Sequence, residues 1–211
     1  MTTRTYATVM TALSFIGLLA VLVAMSTVEQ IKQDRQAAAA GPDQMITNGN
    51  LEPKVTVTDF ELENQLGAKV DLASLKGKIW VADFIFTSCA GICPTMSKHM
   101  GLLQEAFAGN TEVQLVSISV DPETDTVERL QQYGERFNAN PDQWQFLRGD
   151  IESVHALAQK GMYIGNGDEP VNHSPRFVLV DREGQVREYY FGTEEEEIQR
   201  LILDIEKLLA E

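Results

Sequence analysis

Cysteine, histidine and positive charge are all scarce in this chain. Its 211 residues include two cysteines, three histidines, and 17 lysines and arginines against 31 aspartates and glutamates, giving a formal net charge of −14. Because both cysteines fall in one short motif, a disulfide scaffold is excluded and the fold must rest on its apolar core. The acidic balance and the lack of a basic stripe argue against nucleic acid as a partner.

Charged residues are also missing from the N-terminal region. After a short tail, residues 1–6, an uncharged stretch at 7–28 would span ~33 Å as a helix, which is enough to cross a bilayer. A cleaved signal peptide has a shorter apolar segment with small residues close behind it, whereas the alanines at 38–40 here follow a charged run. The sequence therefore predicts a single transmembrane signal anchor over 7–28 with the N-terminus inside. A flexible tether over 29–50 and a folded domain over 51–211 follow it.

Strand and helix patterns alternate through that domain. Two short strands at 55–62 and 69–72 predict an N-terminal β-hairpin. A nearly continuous apolar strand follows at 79–86, and Pro94 suits the first turn of the next helix. The full order, ββ, then βαβαβα, then ββα, is typical of an α/β, thioredoxin-like fold with an N-terminal β-hairpin extension.

Polar residues predict where two later helices begin. Asp125 with Glu128 three residues on has the pattern of a capping box, and Asp150 has the character of an N-cap. We therefore expect Asp125 to lie at a helix start, with its carboxylate bound to that helix.

The two cysteines lie four residues apart, Cys89 and Cys93, between the apolar strand and the helix at Pro94. Backbone N–H groups and the helix dipole at such a helix start favour thiolate over thiol. Paired thiolates can exchange disulfides or bind one soft metal ion. Two buried small hydrophobes would not explain why both cysteines cluster at a strand–helix turn, so we expect a reactive pair.

A metal site needs further ligands, and the three histidines are the candidates. Structural zinc takes four ligands, whereas copper(I) accepts two or three soft ones. His99 should turn away from the dithiol towards solvent or a helix cap, and His155 should be packed or on the surface. His173 precedes a strand at 177–180, in a loop that lies against the dithiol in thioredoxin-like sheets. Its position leaves a ligand and an ordinary loop residue equally open, and Pro175 sits where such folds carry a proline beside the dithiol.

At this point the residues resemble a known family, the Sco/SenC proteins. The segment from Phe86 to Pro94 is similar to the family signature F-T-x-C-x-x-x-C-P. Three further blocks match in the same order along residues 51–195: Val116 to Thr126, ending in V-D-P-x-x-D-T; Trp144 to Gly149, similar to W-x-F-L-x-G; and His173 to Asp181, with the histidine four residues before a strand aromatic.

The resemblance implies a thioredoxin-like, membrane-anchored copper-binding protein that serves cytochrome c oxidase assembly. Carried over position by position, its copper ligands are Cys89, Cys93 and His173, and Asp121 lies near the metal without binding it. The implied partners are the oxidase subunit that carries the binuclear copper site, other copper chaperones or thioredoxin-like reductants, and the membrane, but no nucleic acid. The implied location is the inner membrane, with the domain facing the periplasm or, in a eukaryote, the mitochondrial intermembrane space.

Two departures from the family pattern keep a second function open. Ala90-Gly91 replaces the usual proline and acidic residue between the cysteines, and Ser174-Pro175 after the histidine is more typical of thiol–disulfide exchange proteins. A membrane-bound oxidoreductase that reduces the acceptor's own cysteines would need Cys89 and Cys93 but not His173. A peroxidase using Cys89 is weaker, because nothing else in the sequence marks a peroxide pocket.

Overall fold

The computed structural model describes residues 51–165, 171 and 174–211. The predicted tail at 1–6, the membrane anchor at 7–28, the tether at 29–50 and His173 lie outside the described residues. In the part of the chain that the structure describes, no helix is long and apolar enough to cross a membrane.

In the described part of the chain, eight strands form a single mixed sheet. Three of them, β4, β5 and β6, are parallel neighbours in the middle, and the remaining pairings are antiparallel. Their spatial order is β1-β8-β7-β4-β5-β6-β2-β3. The strands are β1 (Val55–Thr56), β2 (Glu61–Asn64), β3 (Lys69–Asp71), β4 (Ile79–Ile85), β5 (Val113–Ser119), β6 (Trp144–Arg148), β7 (Arg176–Val180) and β8 (Gln185–Phe191).

Helices cover both faces of the sheet. One face buries apolar residues of α2, α3 and α5, and the other buries those of α1, α4 and the π-helical turn Leu157–Gly161 that continues α4. This confirms the predicted α/β, thioredoxin-like arrangement, with the parallel βα units leading and an antiparallel ββα unit closing the sheet. The helices are α1 (Leu72–Leu75), α2 (Cys93–Ala106), α3 (Val127–Arg136), α4 (Ile151–Ala156) and α5 (Glu195–Leu209).

The central strand β4 shows why this fold forms. All seven of its residues are buried, and they alternate between the two apolar layers. Trp80, Ala82 and Phe84 enter one layer, whereas Ile79, Val81 and Ile85 enter the other. A strand covered on both faces has to be apolar throughout, which is the pattern that identified it in the sequence.

The strand predicted over 55–62 is wrong as a single element. Its first part, β1, pairs with β8 at one edge of the sheet, and its last part continues into β2, which pairs with β6 and β3 near the other edge. Between them Val57 and Phe60 pack into the apolar layer that holds Trp80, so the chain crosses that face of the sheet. The predicted N-terminal hairpin is therefore β2–β3 alone.

Candidate metal centre

Cys89 and Cys93 lie at the carboxyl end of β4, where the chain turns into α2. The Cys89 N–H donates to the Phe86 carbonyl at 3.1 Å, which starts the turn, and α2 begins at Cys93 with Pro94 in its first turn. Both cysteines are free. Cys89 is half-buried, whereas Cys93 is only 1% exposed and packs with the α2 methionines against the sheet.

The two sulfurs differ in their tendency to ionise. Burial raises the pKa of Cys89, but the Cys93 thiol and the backbone N–H groups of Cys93, Gly91 and Ile92 outweigh it and lower that pKa below the usual value. Burial raises the pKa of Cys93 to about 12, and the neighbouring Cys89 sulfur adds to the increase. The expected preference for thiolate at this helix start is therefore confirmed for Cys89 and wrong for Cys93, which lies too deep for the helix N–H groups to offset its desolvation.

Asp125 holds the dithiol loop in place, a role that the sequence analysis missed. Its fully buried carboxylate accepts from the Thr87 hydroxyl at 2.5 Å, from the Thr87 N–H at 3.1 Å and from the Ser119 hydroxyl at 2.6 Å. The predicted capping box is wrong, because the N-cap of α3 is Thr126, whose hydroxyl accepts from the Arg129 N–H. Asp125 turns inward because β5 places the Ser119 hydroxyl below it.

Asp121, the acidic residue that the family resemblance places near the metal, contacts a different part of the chain. It is half-buried, and its carboxylate accepts from the Thr124 N–H at 3.4 Å. It also lines a surface groove between the ends of β5 and β6. The carboxylate that contacts the dithiol loop is that of Asp125, four residues later.

Asp83 is a second buried carboxylate that sequence reasoning passed over. It lies in β4, on the same side as Val81 and Ile85, and thus faces the layer in which Cys93 is buried. Among the residues that the structure describes, neither carboxylate oxygen of Asp83 has a hydrogen-bond partner in suitable geometry. Burial raises the pKa of Asp83 to about 7, and the Ser117 hydroxyl offsets only part of this effect. An acidic residue inside an otherwise apolar strand was the signal that could have found it.

Replacing Asp83 should change the dependence of stability on pH. The pKa of Asp83 is about 7 in the folded protein against an ordinary 3.8, so between these values the native state binds more protons than the unfolded chain. The free energy of unfolding must then fall as pH rises through this window. At 1.36 kcal/mol per pKa unit, and with Asp83 half-ionised at its folded pKa of about 7, we expect Asp83→Asn to gain about 2 kcal/mol relative to wild type between pH 5 and pH 7.

Urea unfolding of both proteins across this pH range measures the effect of Asp83→Asn. Asp121→Asn, which removes a carboxylate from the surface groove, controls for the loss of one negative charge. A stability difference between Asp83→Asn and wild type that stays constant with pH would contradict the assignment.

The two histidines that the structure describes occupy different environments. His99 is half-buried, and its Nδ1 lies 2.8 Å from the Gly192 carbonyl oxygen, which joins α2 to the end of β8. The expected solvent or capping role is therefore wrong, because the ring fixes two elements together. His155 is exposed, consistent with the surface role that we expected. His173 lies outside the described residues.

The chain that follows His173 returns to the dithiol edge of the sheet. β7 is antiparallel to β4 with Ala82 opposite Val178, so the start of β7 lies at the edge where β4 ends. The Pro175 carbonyl accepts from the Gly192 N–H at 2.7 Å, close to the His99 contact on α2. Within residues 51–165, 171 and 174–211, no group of three His, Cys, Asp or Glu residues could hold a metal ion.

This geometry can be compared with known proteins. A family model described as SCO1/SenC matches residues 48–210. The chain belongs to the SCO1/SenC family. A SCO1 protein homolog of Bacillus subtilis (strain 168) is 38% identical over 155 residues, which cover 71% of this chain and 80% of that protein.

Solved structures of the family share the fold. The structure of BsSco, described as a member of the Sco family of cytochrome c oxidase assembly proteins in which a disulfide switch was identified, has a TM-score of 0.67 and 36% identity. The match covers 75% of this chain and 96% of the BsSco chain. The crystal structure of Arabidopsis thaliana ScoI with copper bound has a TM-score of 0.61 and 25% identity, covering 74% of this chain and 99% of that chain.

Proposed function

We propose that the protein is a membrane-anchored copper chaperone that delivers copper to the binuclear copper site of cytochrome c oxidase. The observation that carries the proposal is the pair of free cysteines at the carboxyl end of β4, one of them with a lowered pKa. Soft thiolates are ligands that copper(I) prefers. The copper-bound relative and the assembly role described for BsSco support this choice of cargo and acceptor.

Cys89, Cys93 and His173 are the proposed ligands. Cys89 is half-buried and is the more readily ionised of the two cysteines, so it is the sulfur that meets incoming copper first. Cys93 keeps its proton until the metal is close, because its buried thiol has a pKa of about 12. Metal binding must therefore release that proton. We assign the third ligand to His173 because the segment that follows it, Ser174-Pro175, leads into β7 at this edge of the sheet.

A thiol–disulfide oxidoreductase is the second candidate, and the difference between the sulfurs favours it. Cys89 would attack an acceptor disulfide, and Cys93 would then lose its proton and attack Cys89 in the mixed disulfide. The acceptor gains two electrons and two protons while Cys89 and Cys93 close their own disulfide. This reaction uses both cysteines and leaves His173 without a role.

The N-terminal region completes the proposal. Residues 7–28 would hold the protein in the inner membrane, with the domain facing the periplasm or the mitochondrial intermembrane space. Residues 29–50, if extended, would reach ~70 Å, so the domain could meet an acceptor some distance from its own anchor. The partners are the oxidase subunit with the binuclear copper site and other copper chaperones or thioredoxin-like reductants.

The two functions separate in a cell that depends on the protein for oxidase assembly. If copper delivery is the function, His173→Ala should reduce copper loading of the oxidase as fully as Cys89→Ser, because a Cys₂His site loses its third ligand. Oxidase activity and copper content of purified membranes measure this. His155→Ala, which removes an exposed histidine, is the matched control and should behave as wild type. Normal oxidase with His173→Ala alongside failure of both cysteine variants would instead establish the reductase.

A further inference from the structure

Beside the dithiol loop lies a small positively charged cleft. Thr87, Arg129, Gln132 and Arg136 line it, with a volume of about 580 Å³. The last three residues are spaced three and four apart on α3, so they share one face of that helix. Thr87 is two residues before Cys89, so one wall of the cleft belongs to the dithiol loop.

The two arginines of this cleft are unusual in so acidic a chain. Acidic residues outnumber basic ones by 31 to 17, yet Arg129 and Arg136 form no ion pair with any residue that the structure describes. Arg136 instead lies over the Tyr133 ring at 4.7 Å, and both arginines are exposed. Four other arginines of the domain pair with carboxylates: Arg148, Arg182, Arg187 and Arg200.

The cleft is also rigidly connected to the reactive loop. Asp125 accepts from the hydroxyl and the N–H of Thr87, and α3 starts directly after it at Val127. These bonds hold the start of the dithiol loop against the N-terminal end of the helix that carries both arginines. The cleft therefore differs from an ordinary solvated surface in that one of its walls, Thr87, is held by hydrogen bonds to the buried Asp125 carboxylate.

We propose that Arg129 and Arg136 dock an acidic segment of the partner protein whose thiols or copper ligands exchange with Cys89. The inference rests on the proposed exchange at Cys89 and holds for either the chaperone or the reductase. Two unpaired guanidinium groups in a cleft complement carboxylates and increase the rate of encounter with them. A bilayer surface fits less well, because anionic membranes are bound by clusters of about four to eight basic residues and this cleft holds two arginines.

The test uses the reduced full-length chain in neutral detergent and peptide disulfides as probes. Three short peptide disulfides of equal length carry glutamate, glutamine or lysine on both sides of the cysteine. Each is reduced to two thiols while Cys89 and Cys93 become a disulfide, so the rate of exchange can be followed directly. At low ionic strength we expect the glutamate peptide to react about tenfold faster than the glutamine peptide and the lysine peptide to react more slowly than both. Added salt should remove these differences.

The variant R129Q/R136Q should lose the preference for the glutamate peptide and keep the rate of the glutamine peptide. K76Q/K78Q, which removes the same charge at the opposite end of β4, should retain the preference. Equal rates for the glutamate and glutamine peptides, or an unchanged preference in R129Q/R136Q, would overturn the inference. The inference would also be overturned if wild type bound phosphatidylserine vesicles and R129Q/R136Q lost this binding but kept the preference for the glutamate peptide. The proposed function is tested separately, by the copper content of the oxidase in cells. In the exchange assay, the rate with the glutamine peptide measures the reactivity of the dithiol alone, so a failure of the cleft can be told apart from a failure of the dithiol.

Discussion

Closing a disulfide between Cys89 and Cys93 is expected to abolish copper binding, from one copper per reduced chain to none. Both sulfurs act as ligands only as thiolates, and oxidation consumes them together. His173 alone would then remain of the proposed ligands, which is too few to hold copper(I) firmly. Anaerobic copper titration of reduced and oxidised protein measures the effect, and mass spectrometry confirms the two oxidation states by their difference of two hydrogens.

Re-reduction provides the control for this prediction. Treating the oxidised protein with a reductant that is then removed should restore full copper binding, which excludes damage during oxidation. Equal copper uptake by the oxidised and reduced samples would refute the site. It would also remove the basis for regulating copper binding through the oxidation state of the dithiol.

Asp125→Ala is expected to be the most damaging substitution outside the proposed ligands. It leaves the buried Ser119 hydroxyl and the Thr87 N–H without their acceptor, and an unsatisfied buried group costs roughly 1–3 kcal/mol. We expect a loss of about 3 kcal/mol in the free energy of unfolding, measured by urea denaturation. The dithiol loop should also lose its fixed position, so copper affinity should fall by at least roughly tenfold, since 1.4 kcal/mol corresponds to a factor of ten.

Asp121→Ala is the matched control for Asp125→Ala. The two carboxylates lie four residues apart after the same strand, but Asp121 is half-buried and its carboxylate accepts from the nearby Thr124 N–H. We expect it to cost no more than about 1 kcal/mol and to leave copper affinity close to that of wild type. If Asp121→Ala weakens copper binding more than Asp125→Ala does, the structural assignment of the loop-holding carboxylate is wrong.

The parts of the fold that the sequence predicted well are those set by local pattern. The buried strand β4 is a continuous apolar run, and Pro94 marks the helix that begins at Cys93. Position in a βα unit therefore placed the dithiol correctly at the carboxyl end of a central strand. The family signature added the chemistry, since the spacing of the cysteines alone allowed either disulfide exchange or metal binding.

The parts that could not be predicted depend on long-range contacts. Splitting of the first predicted strand between two sheet edges is set by pairing of Thr56 with Gln185 and of Glu63 with Arg148, far along the chain. Asp125 had the local pattern of a cap, but its actual partners include Thr87, thirty-eight residues earlier. Local sequence patterns carry no information on which distant groups a buried carboxylate meets.

The measurement that tests the central claim most directly is X-ray absorption at the copper edge on the reduced, anaerobically loaded full-length chain. For wild type, the proposed site predicts one copper bound by the sulfurs of Cys89 and Cys93 and by one imidazole nitrogen. For His173→Ala, it predicts loss of the imidazole contribution together with markedly weaker copper binding, whereas His155→Ala should give the wild-type spectrum. An unchanged spectrum and affinity in His173→Ala would contradict the proposed copper site.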